Sequence, residues 1–137
     1  MTQNGETLLK VENLNTGYAG VPVVRQLNVH LNAGEVVALL GPNGAGKTTT
    51  LLTISGIIPI LSGNISVLGD FVDSKNPHKN ARLGLAHVAE DRSLFFNLTV
   101  KENLDMALSQ SGLSKSLCRN KRETLIDKFN LFSFVLV

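Results

Sequence analysis

The sequence predicts an α/β fold, and three features of its 137 residues carry the prediction. Two apolar runs, EVVALL at 35–40 and GLAHVA at 84–89, have the length and composition of strands buried on both faces of a sheet. The glycine-rich segment GPNGAGK at 41–47 directly follows the first run and cannot form regular structure. The residues after it, TTTLLTISGII, suit a helix that ends near Gly56.

Shorter signals predict the strands of the N-terminal half. LLKVENLNTGY begins as a strand and ends at a turn-prone NTGY. VPVVRQLNVHL alternates apolar and polar residues in its second half, as a half-buried strand does. NAG at 32–34 indicates a turn, and SGNISVLGD indicates a turn, a strand and a second turn.

The second half of the chain contains three predicted helices. NPHKNARL is typical of a short helix with Asn76 as its cap and Pro77 at its first position. Thr99 and Glu102 have the spacing of a capping box, which begins a helix closed by Gly112. RNKRETLIDKF, residues 119–129, follows as another helix.

Charge and composition exclude several classes of protein. A formal net charge of +2 is too small to indicate a nucleic-acid partner. The single cysteine, Cys118, excludes an internal disulfide. The N-terminus lacks the basic and apolar regions of a secretory signal, and no apolar stretch approaches the ~20 residues of a membrane-spanning helix. We therefore expect a cytoplasmic protein that meets a membrane only through a partner.

The glycine-rich segment satisfies every fixed position of the phosphate-loop pattern G-x-x-x-x-G-K-[ST]. Glycines at 41, 44 and 46 let the backbone adopt conformations closed to other residues and approach an anion closely. Successive N–H groups then point at the phosphates, in a nest that continues into the N-terminus of the following helix. The segment therefore predicts that the fold binds a nucleoside triphosphate.

Two side chains of this segment carry the predicted chemistry. Lys47 supplies a compact positive charge to the β- and γ-phosphates, and we predict that it takes part in catalysis. The Thr48 hydroxyl is placed to ligate Mg²⁺, which takes oxygen ligands. The residues predicted to contact ATP are Gly41, Pro42, Asn43, Gly44, Ala45, Gly46, Lys47, Thr48 and Thr49.

The pattern extends well beyond the loop. LNAGEVVALL precedes it, SGIIPILSGNISVLGD follows the helix, and LFFNLTVKENL comes further along the chain. Together these stretches resemble the ATP-binding subunit of ABC transporters, over roughly residues 8–129. Within that family the sequence is most similar to subunits of branched-chain amino acid importers and their urea and amide relatives.

The resemblance implies an α/β P-loop NTPase fold of the ABC ATPase type. Residues 1–137 would form part of its nucleotide-binding domain: the N-terminal β-subdomain and the start of the core and helical subdomain. The phosphate loop (Walker A) and the Q-loop are present, whereas the LSGGQ signature, the Walker B strand and the switch histidine are absent from the sequence. The apolar ending FSFVLV, where a terminus is usually polar, also leads us to expect a truncated domain.

The resemblance implies two further site residues. Tyr18 lies where the family has an aromatic residue that stacks on adenine; as a turn tyrosine it would instead cover the edge of the core, and both interpretations stay open. Glu90 lies at the Q-loop position, whose residue approaches Mg²⁺ and the attacking water while the loop touches the membrane subunit. Ala89 and Asp91 depart from the PEGR that the importer subgroup usually carries, which puts the stiffness and coupling of the loop in doubt.

Glu90 and Asp91 also admit a second interpretation, because they follow an apolar run as the magnesium-binding acid of a Walker B strand does. The ABC pattern continues without a break after them, through LFFNLTVKENL. A Walker B strand of this family comes only after the LSGGQ signature. We therefore interpret the pair as part of the Q-loop.

The resemblance implies ATP binding and, in a full-length parent, Mg²⁺-dependent hydrolysis that powers import of branched-chain amino acids or similar small solutes. The implied partners are transmembrane permease subunits and a second ATP-binding subunit, identical or different. A periplasmic or extracellular solute-binding protein would act indirectly. The implied location is peripheral, on the cytoplasmic face of the membrane through the permease.

Three alternatives stay beside this interpretation. The first is a nucleotide-binding fragment that hydrolyses no ATP, since the family's signature and Walker B residues are missing from the sequence. The second is another P-loop NTPase such as a small-molecule kinase, although the phosphate loop of a kinase usually lies nearer the N-terminus. The third is a GTPase, but NKRE at 120–123 has Glu in place of Asp in the guanine motif N-K-x-D and does not follow a strand.

Overall fold

The computed structural model describes residues 5–74, 76–90, 94–109 and 111–131. The chain divides into two compact units, and the boundary falls after His87. Within the described residues, no helix is both long and apolar enough to cross a membrane.

The first unit is built on an antiparallel sheet with strand order β2-β1-β3-β4. Its strands are β1 (Thr7–Tyr18), β2 (Val21–Asn32), β3 (Ile60–Val67) and β4 (Asp70–Phe71). Its helices are α1 (Lys47–Ile54) and α2 (Pro77–Arg82). The half-buried strand predicted from VPVVRQLNVHL is confirmed as β2, whose Leu27 and Val29 pack against the core.

Two predicted turns are strand instead. NTGY continues β1, and the chain reverses at Ala19 and Gly20, whose φ angles are 49° and 80°. Gly17 pairs with Pro22 within the hairpin, and a side chain there would collide with the backbone of β2. Gly63 lies inside β3 with φ 87°, against the backbone of β1, at a shift in strand register. Both glycines therefore allow two strands to approach closely. The sequence pattern does not distinguish a glycine of this kind from a glycine in a turn.

The core of the first unit lies between one face of the sheet and α1. Val11 and Leu14 of β1, with Ile65 and Val67 of β3, are buried against Ile54 of α1. Ile65 and Val67 alternate along β3, as expected for a sheet covered on one face. Val11 and Leu14 are three residues apart, because a register shift lies between them in β1. Each such burial contributes roughly 1.5–3 kcal/mol relative to an exposed side chain.

A buried hydroxyl pair ties α1 to the sheet. Thr53 Oγ1 lies 2.7 Å from Thr16 Oγ1 of β1, and Thr16 Oγ1 also donates to the Pro59 carbonyl at 3.1 Å. Both threonines are fully buried. The predicted helix end is confirmed: Gly56 has φ 78°, and its N–H donates to the Thr53 carbonyl at 2.9 Å. This left-handed residue ends the helix in the manner typical of a glycine at C′.

The prediction that EVVALL and GLAHVA are strands buried on both faces is wrong. Val36 is 97% exposed and Val88 is 81% exposed, and neither run is a strand. A strand buried on both faces needs hydrogen-bonded neighbours and a covering layer on each side. Among the described residues, the only sheet is the antiparallel one, which pairs neither run.

An apolar cavity of about 330 Å³ accompanies the first of these runs. Val36 and Leu39 line it together with Val29 of β2 and Leu51 of α1. The run thus presents backbone that pairs with no strand of the described sheet, together with exposed apolar side chains such as Val36. Such a segment is a template for edge-to-edge aggregation.

Helix α2 and the turn before it are held by Asn80. The helix begins at Pro77 after Asn76, as predicted, but the Asn76 side chain donates to Asp73 Oδ2 and does not cap the helix. The buried Asn80 side chain accepts from the Asp73 N–H at 2.9 Å and donates to the Asp73 carbonyl at 3.0 Å. It also donates to the Ser55 carbonyl at 3.5 Å, just beyond the end of α1. Asn80 therefore links α2 to the helix that follows the phosphate loop.

The second unit contains α3 (Val100–Ser109) and α4 (Lys115–Lys128). The predicted capping box is confirmed, since the Thr99 N–H donates to Glu102 Oε2 at 2.8 Å and the Glu102 N–H donates to Thr99 Oγ1 at 3.2 Å. The hydrogen bonds that the Glu102 carboxylate accepts from the Thr99 N–H and from the Thr99 hydroxyl, each at 2.8 Å, hold the pKa of Glu102 below its usual value. The predicted closure at Gly112 is three residues too late: α3 ends at Ser109, and Gly112, with φ 70°, lies in the turn that follows.

Helix α4 begins four residues earlier than the predicted start at Arg119. Ser114 supplies the cap, because its hydroxyl accepts from the Leu117 N–H at 3.4 Å. Arg122 Nη1 donates to Asp105 Oδ1 of α3 at 2.6 Å, which joins the two helices. This hydrogen bond raises the pKa of Arg122.

Replacing Asn80 tests whether the link to α1 supports the first unit. Asn80→Ala removes three hydrogen bonds of a buried side chain, so we expect a loss of roughly 1–3 kcal/mol in the free energy of unfolding. Urea titration followed by circular dichroism measures it. Asn64→Ala, at an exposed position of β3, is the matched control and should change the midpoint little. Equal shifts in the two variants would contradict the assigned role.

Candidate functional site

The phosphate loop leads directly into α1 and uses backbone conformations that favour glycine. Gly41, Gly44 and Gly46 have φ angles of 152°, 83° and 85°. The Ala45 N–H donates to the Pro42 carbonyl at 3.2 Å, which closes the loop on itself. Nothing lies within 4 Å of the place where a Gly44 side chain would begin. The loop therefore offers open backbone that an anion can approach.

Helix α1 begins at the end of this loop with a free N-terminus. The Gly46 carbonyl accepts both the Thr50 N–H and the Thr50 hydroxyl, each at 2.8 Å. The N–H groups of the residues between them have no partner within the helix, because the first four N–H groups of any α-helix lack one. These donors and the helix dipole favour a negative charge at this point.

Gly46 also sets the distance between α1 and the β1–β2 hairpin. A side chain at this position would lie 2.6 Å from Val24 Cγ2 and 3.5 Å from Val23 Cγ1 of β2. Gly46 is buried there. The two functions of this glycine are distinct: it supplies the left-handed turn into α1, and it lets the helix start against the hairpin.

The Lys47 side chain lies across the loop. Its ammonium donates to the Gly41 carbonyl at 2.8 Å and to the Pro42 carbonyl at 2.7 Å. An ammonium has three donors, so these two hydrogen bonds leave one for a further acceptor. The loop therefore holds a fixed positive charge beside the N-terminus of α1.

The threonines of α1 divide between solvent and core. Thr48 is exposed, whereas Thr49 and Thr50 are buried. Thr49 Oγ1 lies 3.5 Å from the hydroxyl of Tyr18, at the end of β1. Tyr18 itself is half-exposed beside the helix that carries the loop. Its position is compatible with stacking on a base and with covering the core edge, so its role stays a prediction.

The residues present fit a magnesium–nucleotide complex. Among the described residues, no group of three His, Cys, Asp or Glu side chains could hold a metal ion by itself. Mg²⁺ in nucleotide sites is commonly held by one or two protein oxygens together with the phosphates. The exposed Thr48 hydroxyl, in the first turn of the helix that follows the loop, meets this requirement.

Glu90 and Asp91 lie in a different part of the chain from the phosphate loop. Glu90 is exposed and belongs to the second unit, whereas the loop belongs to the first. Asp91 lies outside the described residues. The catalytic and metal-binding roles of Glu90 therefore stay predictions from the resemblance.

Sequence reasoning missed the residues that support the loop. Thr16, Thr53 and Val24 are not among the predicted ligand-binding residues, yet their contacts fix where α1 begins. The sequence did contain a signal for Thr53, because Thr49, Thr50 and Thr53 share one face of the helix. A polar stripe on a buried helix face requires hydrogen-bond partners in the layer beneath it.

Comparison with known proteins gives one consistent family. The family model described as "ABC transporter" matches residues 24–134. The lipopolysaccharide export system ATP-binding protein LptB of Escherichia coli K12 is 36% identical over 124 residues, which are 90% of this chain and 52% of LptB. The probable branched-chain amino acid transport ATP-binding protein LivF of Archaeoglobus fulgidus is 30% identical over 122 residues, 89% of this chain and 51% of LivF.

Solved structures agree with the family match. A structure described as the ATP-binding subunit of an ABC transporter has a TM-score of 0.81 and 33% identity, over 94% of this chain and 53% of its own. The protein cbiO1 from Clostridium perfringens, part of the ABC transporter complex cbiONQ, has a TM-score of 0.77 and 25% identity, over 95% and 53%. These likenesses confirm the predicted α/β fold of the ABC ATPase type. The chain spans about half the length of the curated relatives it matches.

Two glycines of the loop provide a matched test of its support. Gly46→Ala and Gly44→Ala introduce the same methyl at nearly equal φ angles, 85° and 83°. Only the Gly46 variant also meets Val24, at 2.6 Å. We expect it to lower the free energy of unfolding by about 1–3 kcal/mol more than the Gly44 variant, the usual cost of overpacking.

Urea titration of both variants measures this difference. Adding Val24→Ala to the Gly46 variant should restore part of the loss, because the second substitution removes the colliding methyl. Equal destabilisation by the two glycine variants, with no rescue, would mean that α1 does not depend on this contact.

Proposed function

The chain belongs to the ABC transporter family, and on this premise we propose that residues 41–49 bind the phosphates of ATP together with Mg²⁺. The observation that carries the proposal is the placement of Lys47. Its ammonium is fixed over the loop by the carbonyls of Gly41 and Pro42, where the open backbone and the N-terminus of α1 also favour an anion.

The proposed binding divides into three contributions from the chain. Backbone N–H groups of the loop and the first turn of α1 donate to phosphate oxygens. Lys47 adds a charged donor, whose hydrogen bonds are stronger than those of neutral groups. The Thr48 hydroxyl supplies a protein oxygen to the metal ion. When bound, Mg²⁺ neutralises charge on the phosphates.

Tyr18 is the proposed contact for the adenine base. It is half-exposed, and its hydroxyl lies 3.5 Å from Thr49 Oγ1, next to the loop. Stacking of a base on an aromatic ring contributes about 1–3 kcal/mol in nucleic-acid complexes. The ring is therefore close enough to the loop, and sufficiently uncovered, to take this role.

For the longer protein we propose an energy-coupling role in transport. The names of LptB and LivF describe ATP-binding proteins of an export system and of a transport system, and cbiO1 is described as part of a transporter complex. We propose transmembrane permease subunits and a second ATP-binding subunit as partners, with the chain located on the inner face of the membrane through them. We propose a solute-binding protein as an indirect partner only for a system that imports its solute.

Two relatives of similar sequence identity are named for different transported substances. LptB, named for lipopolysaccharide export, is 36% identical, and LivF, named for branched-chain amino acid transport, is 30% identical. We therefore propose, for the longer protein, import of branched-chain amino acids or of similar small solutes.

For residues 1–137 by themselves we propose nucleotide binding without steady ATP turnover. Phosphoryl transfer requires an oriented water as well as bound phosphates. The sequence contains no LSGGQ signature, which in this family precedes the Walker B strand. Glu90 is proposed to act in coupling rather than as the principal metal ligand.

Replacing Lys47 tests the phosphate contact. Lys47→Ala should weaken MgATP binding about tenfold to a hundredfold, because a hydrogen bond to a charged group contributes roughly 1.5–3 kcal/mol. Titration with a fluorescent ATP analogue gives the dissociation constants. Lys79→Ala, an exposed lysine of the same unit 3.6 Å from Asp73, is the charge-matched control and should bind like wild type. Unchanged affinity in the Lys47 variant would refute the assignment.

Replacing Glu90 separates coupling from metal binding. Glu90→Ala should change MgATP affinity less than about threefold, whereas Thr48→Val should weaken the dependence on Mg²⁺, because its hydroxyl is the proposed metal ligand. In the longer protein, the Glu90 variant should lower permease-stimulated hydrolysis more than binding. Loss of Mg²⁺-dependent affinity in Glu90→Ala would instead identify Glu90 as the principal magnesium acid.

A further inference from the structure

One asparagine of the phosphate loop is followed by a glycine. The sequence has two such pairs, Asn4–Gly5 near the N-terminus and Asn43–Gly44 in the loop. In an Asn–Gly pair the backbone nitrogen of the glycine can attack the side-chain amide of the asparagine, and a glycine obstructs this attack least because it has no Cβ. The pair in the loop is therefore a candidate for a chemical modification that nucleotide binding does not require.

The structure leaves the Asn43–Gly44 pair without intramolecular restraint. Both residues are exposed. Within the part of the chain that the structure describes, neither the Asn43 side chain nor the Gly44 N–H has a hydrogen-bond partner. Nothing lies within 4 Å of the position that a Gly44 Cβ would take. The two reacting groups can therefore approach each other without the loss of a hydrogen bond to the rest of the described chain.

Other asparagines are held by hydrogen bonds. The buried Asn80 side chain makes three of them and precedes an alanine. The Asn103 side-chain nitrogen donates to three backbone carbonyls at 3.0–3.1 Å and precedes a leucine. Attack on either side chain would break these hydrogen bonds and would meet the Cβ of the next residue. Asn80 and Asn103 are therefore internal references that should not react.

We propose that Asn43 is a site of spontaneous deamidation and that its products impair the phosphate loop. The Gly44 nitrogen forms a bond to Asn43 Cγ, which closes a five-membered succinimide. The bond between Cγ and Nδ2 breaks, and Nδ2 leaves as ammonia with the proton of the Gly44 N–H. The attacking and attacked groups belong to adjacent residues, so the step is intramolecular and favoured by proximity.

Water then opens the succinimide in one of two ways. Addition at Cγ yields aspartate at position 43. Addition at the backbone carbonyl yields isoaspartate, in which the chain continues through Cβ and Cγ and contains one more backbone atom. Either product carries a carboxylate in place of the neutral amide.

The reacting peptide bond lies inside the turn that closes the loop. The Ala45 N–H donates to the Pro42 carbonyl at 3.2 Å, so Asn43 and Gly44 are the two central residues of this turn. Gly44, with φ 83°, supplies the positive φ that a type II turn requires at its third residue. The extra backbone atom of isoaspartate enlarges the ring that this hydrogen bond closes. The loop N–H groups then lose the arrangement in which they converge on an anion.

Both products also place a negative charge close to the fixed positive charge of the loop. The Lys47 ammonium donates to the Pro42 carbonyl at 2.7 Å, and Pro42 immediately precedes Asn43. A carboxylate one residue away competes for this ammonium and repels phosphate groups. This consequence rests on the proposed function, because the charge lowers nucleotide affinity only if the loop binds phosphates.

The reaction rate without nucleotide tests the site in the full chain. Proteolysis and mass spectrometry measure conversion of amide to acid during incubation in mildly alkaline buffer, with a synthetic peptide of residues 38–50 as the unfolded reference. We expect Asn43 to react within about tenfold of the peptide rate, because the exposed loop does not restrain it. Asn80 and Asn103 should stay unchanged over the same period. A slower rate at Asn43, or equal conversion of Asn80, would overturn the proposal.

Bound MgATP should protect Asn43, because the loop N–H groups then donate to phosphate oxygens. At saturation we expect the rate at Asn43 to fall about tenfold or more, whereas Asn4–Gly5, the same dipeptide outside the loop, should react at an unchanged rate. Equal slowing of both pairs, or no slowing in a chain that binds MgATP, would contradict the proposal. Failure of the fresh chain to bind MgATP would refute the proposed function instead, and the rate without nucleotide would still decide whether Asn43 reacts.

A matched pair of substitutions measures the effect of the new charge. Asn43→Asp supplies the carboxylate without the extra backbone atom and should raise the MgATP dissociation constant about tenfold or more. Asn64→Asp, at an exposed position of β3 in the same unit, should bind like wild type. Wild-type chain that has reacted at Asn43, separated by ion exchange, should bind at least as weakly as Asn43→Asp. Unchanged affinity in Asn43→Asp or in the reacted chain would overturn the proposal.

Discussion

The start of α1 against the β1–β2 hairpin is the constraint on which the phosphate loop depends. The contact has no room for a side chain at Gly46, since a Cβ there would lie 2.6 Å from Val24 Cγ2. The hydroxyls of Thr53 and Thr16, 2.7 Å apart in the core, fix the same helix about two turns further on. The loop can therefore be open and glycine-rich while the helix that ends it stays in one place.

Rigid support matters because the loop itself contributes little to stability. Its residues before Gly46 are exposed, and Lys47 crosses them with two hydrogen bonds to loop carbonyls. The preceding run at 35–40 is unpaired in the described sheet, and its Val36 is almost fully exposed. Three contacts therefore hold the loop in place where a paired strand before it would also do so. They are the packing of α1, the hairpin beside it, and the hydrogen bond from Asn80 to the Ser55 carbonyl.

Sequence reasoning succeeded where structure is decided locally. The phosphate loop, the glycine at the end of α1 and the capping box of Thr99 and Glu102 each depend on residues within one or two turns. It failed for EVVALL and GLAHVA because burial of a strand depends on neighbours that the run itself does not specify. The Thr16–Thr53 pair could not be found either, since its members are 37 residues apart and only the folded sheet brings them together. The role of Glu90 at the nucleotide stays a prediction, because Glu90 and the loop belong to different units of the chain.

The central claim is that one continuous backbone segment, the loop and the first turn of α1, receives the phosphates. Hydrogen–deuterium exchange of the full chain with and without MgATP tests it most directly, because bound phosphate protects the N–H groups that donate to it. Slower exchange confined to peptides covering residues 41–50, and absent with AMP, is the predicted result. Unchanged exchange in this segment under saturating MgATP, or protection only in the second unit, would contradict the account.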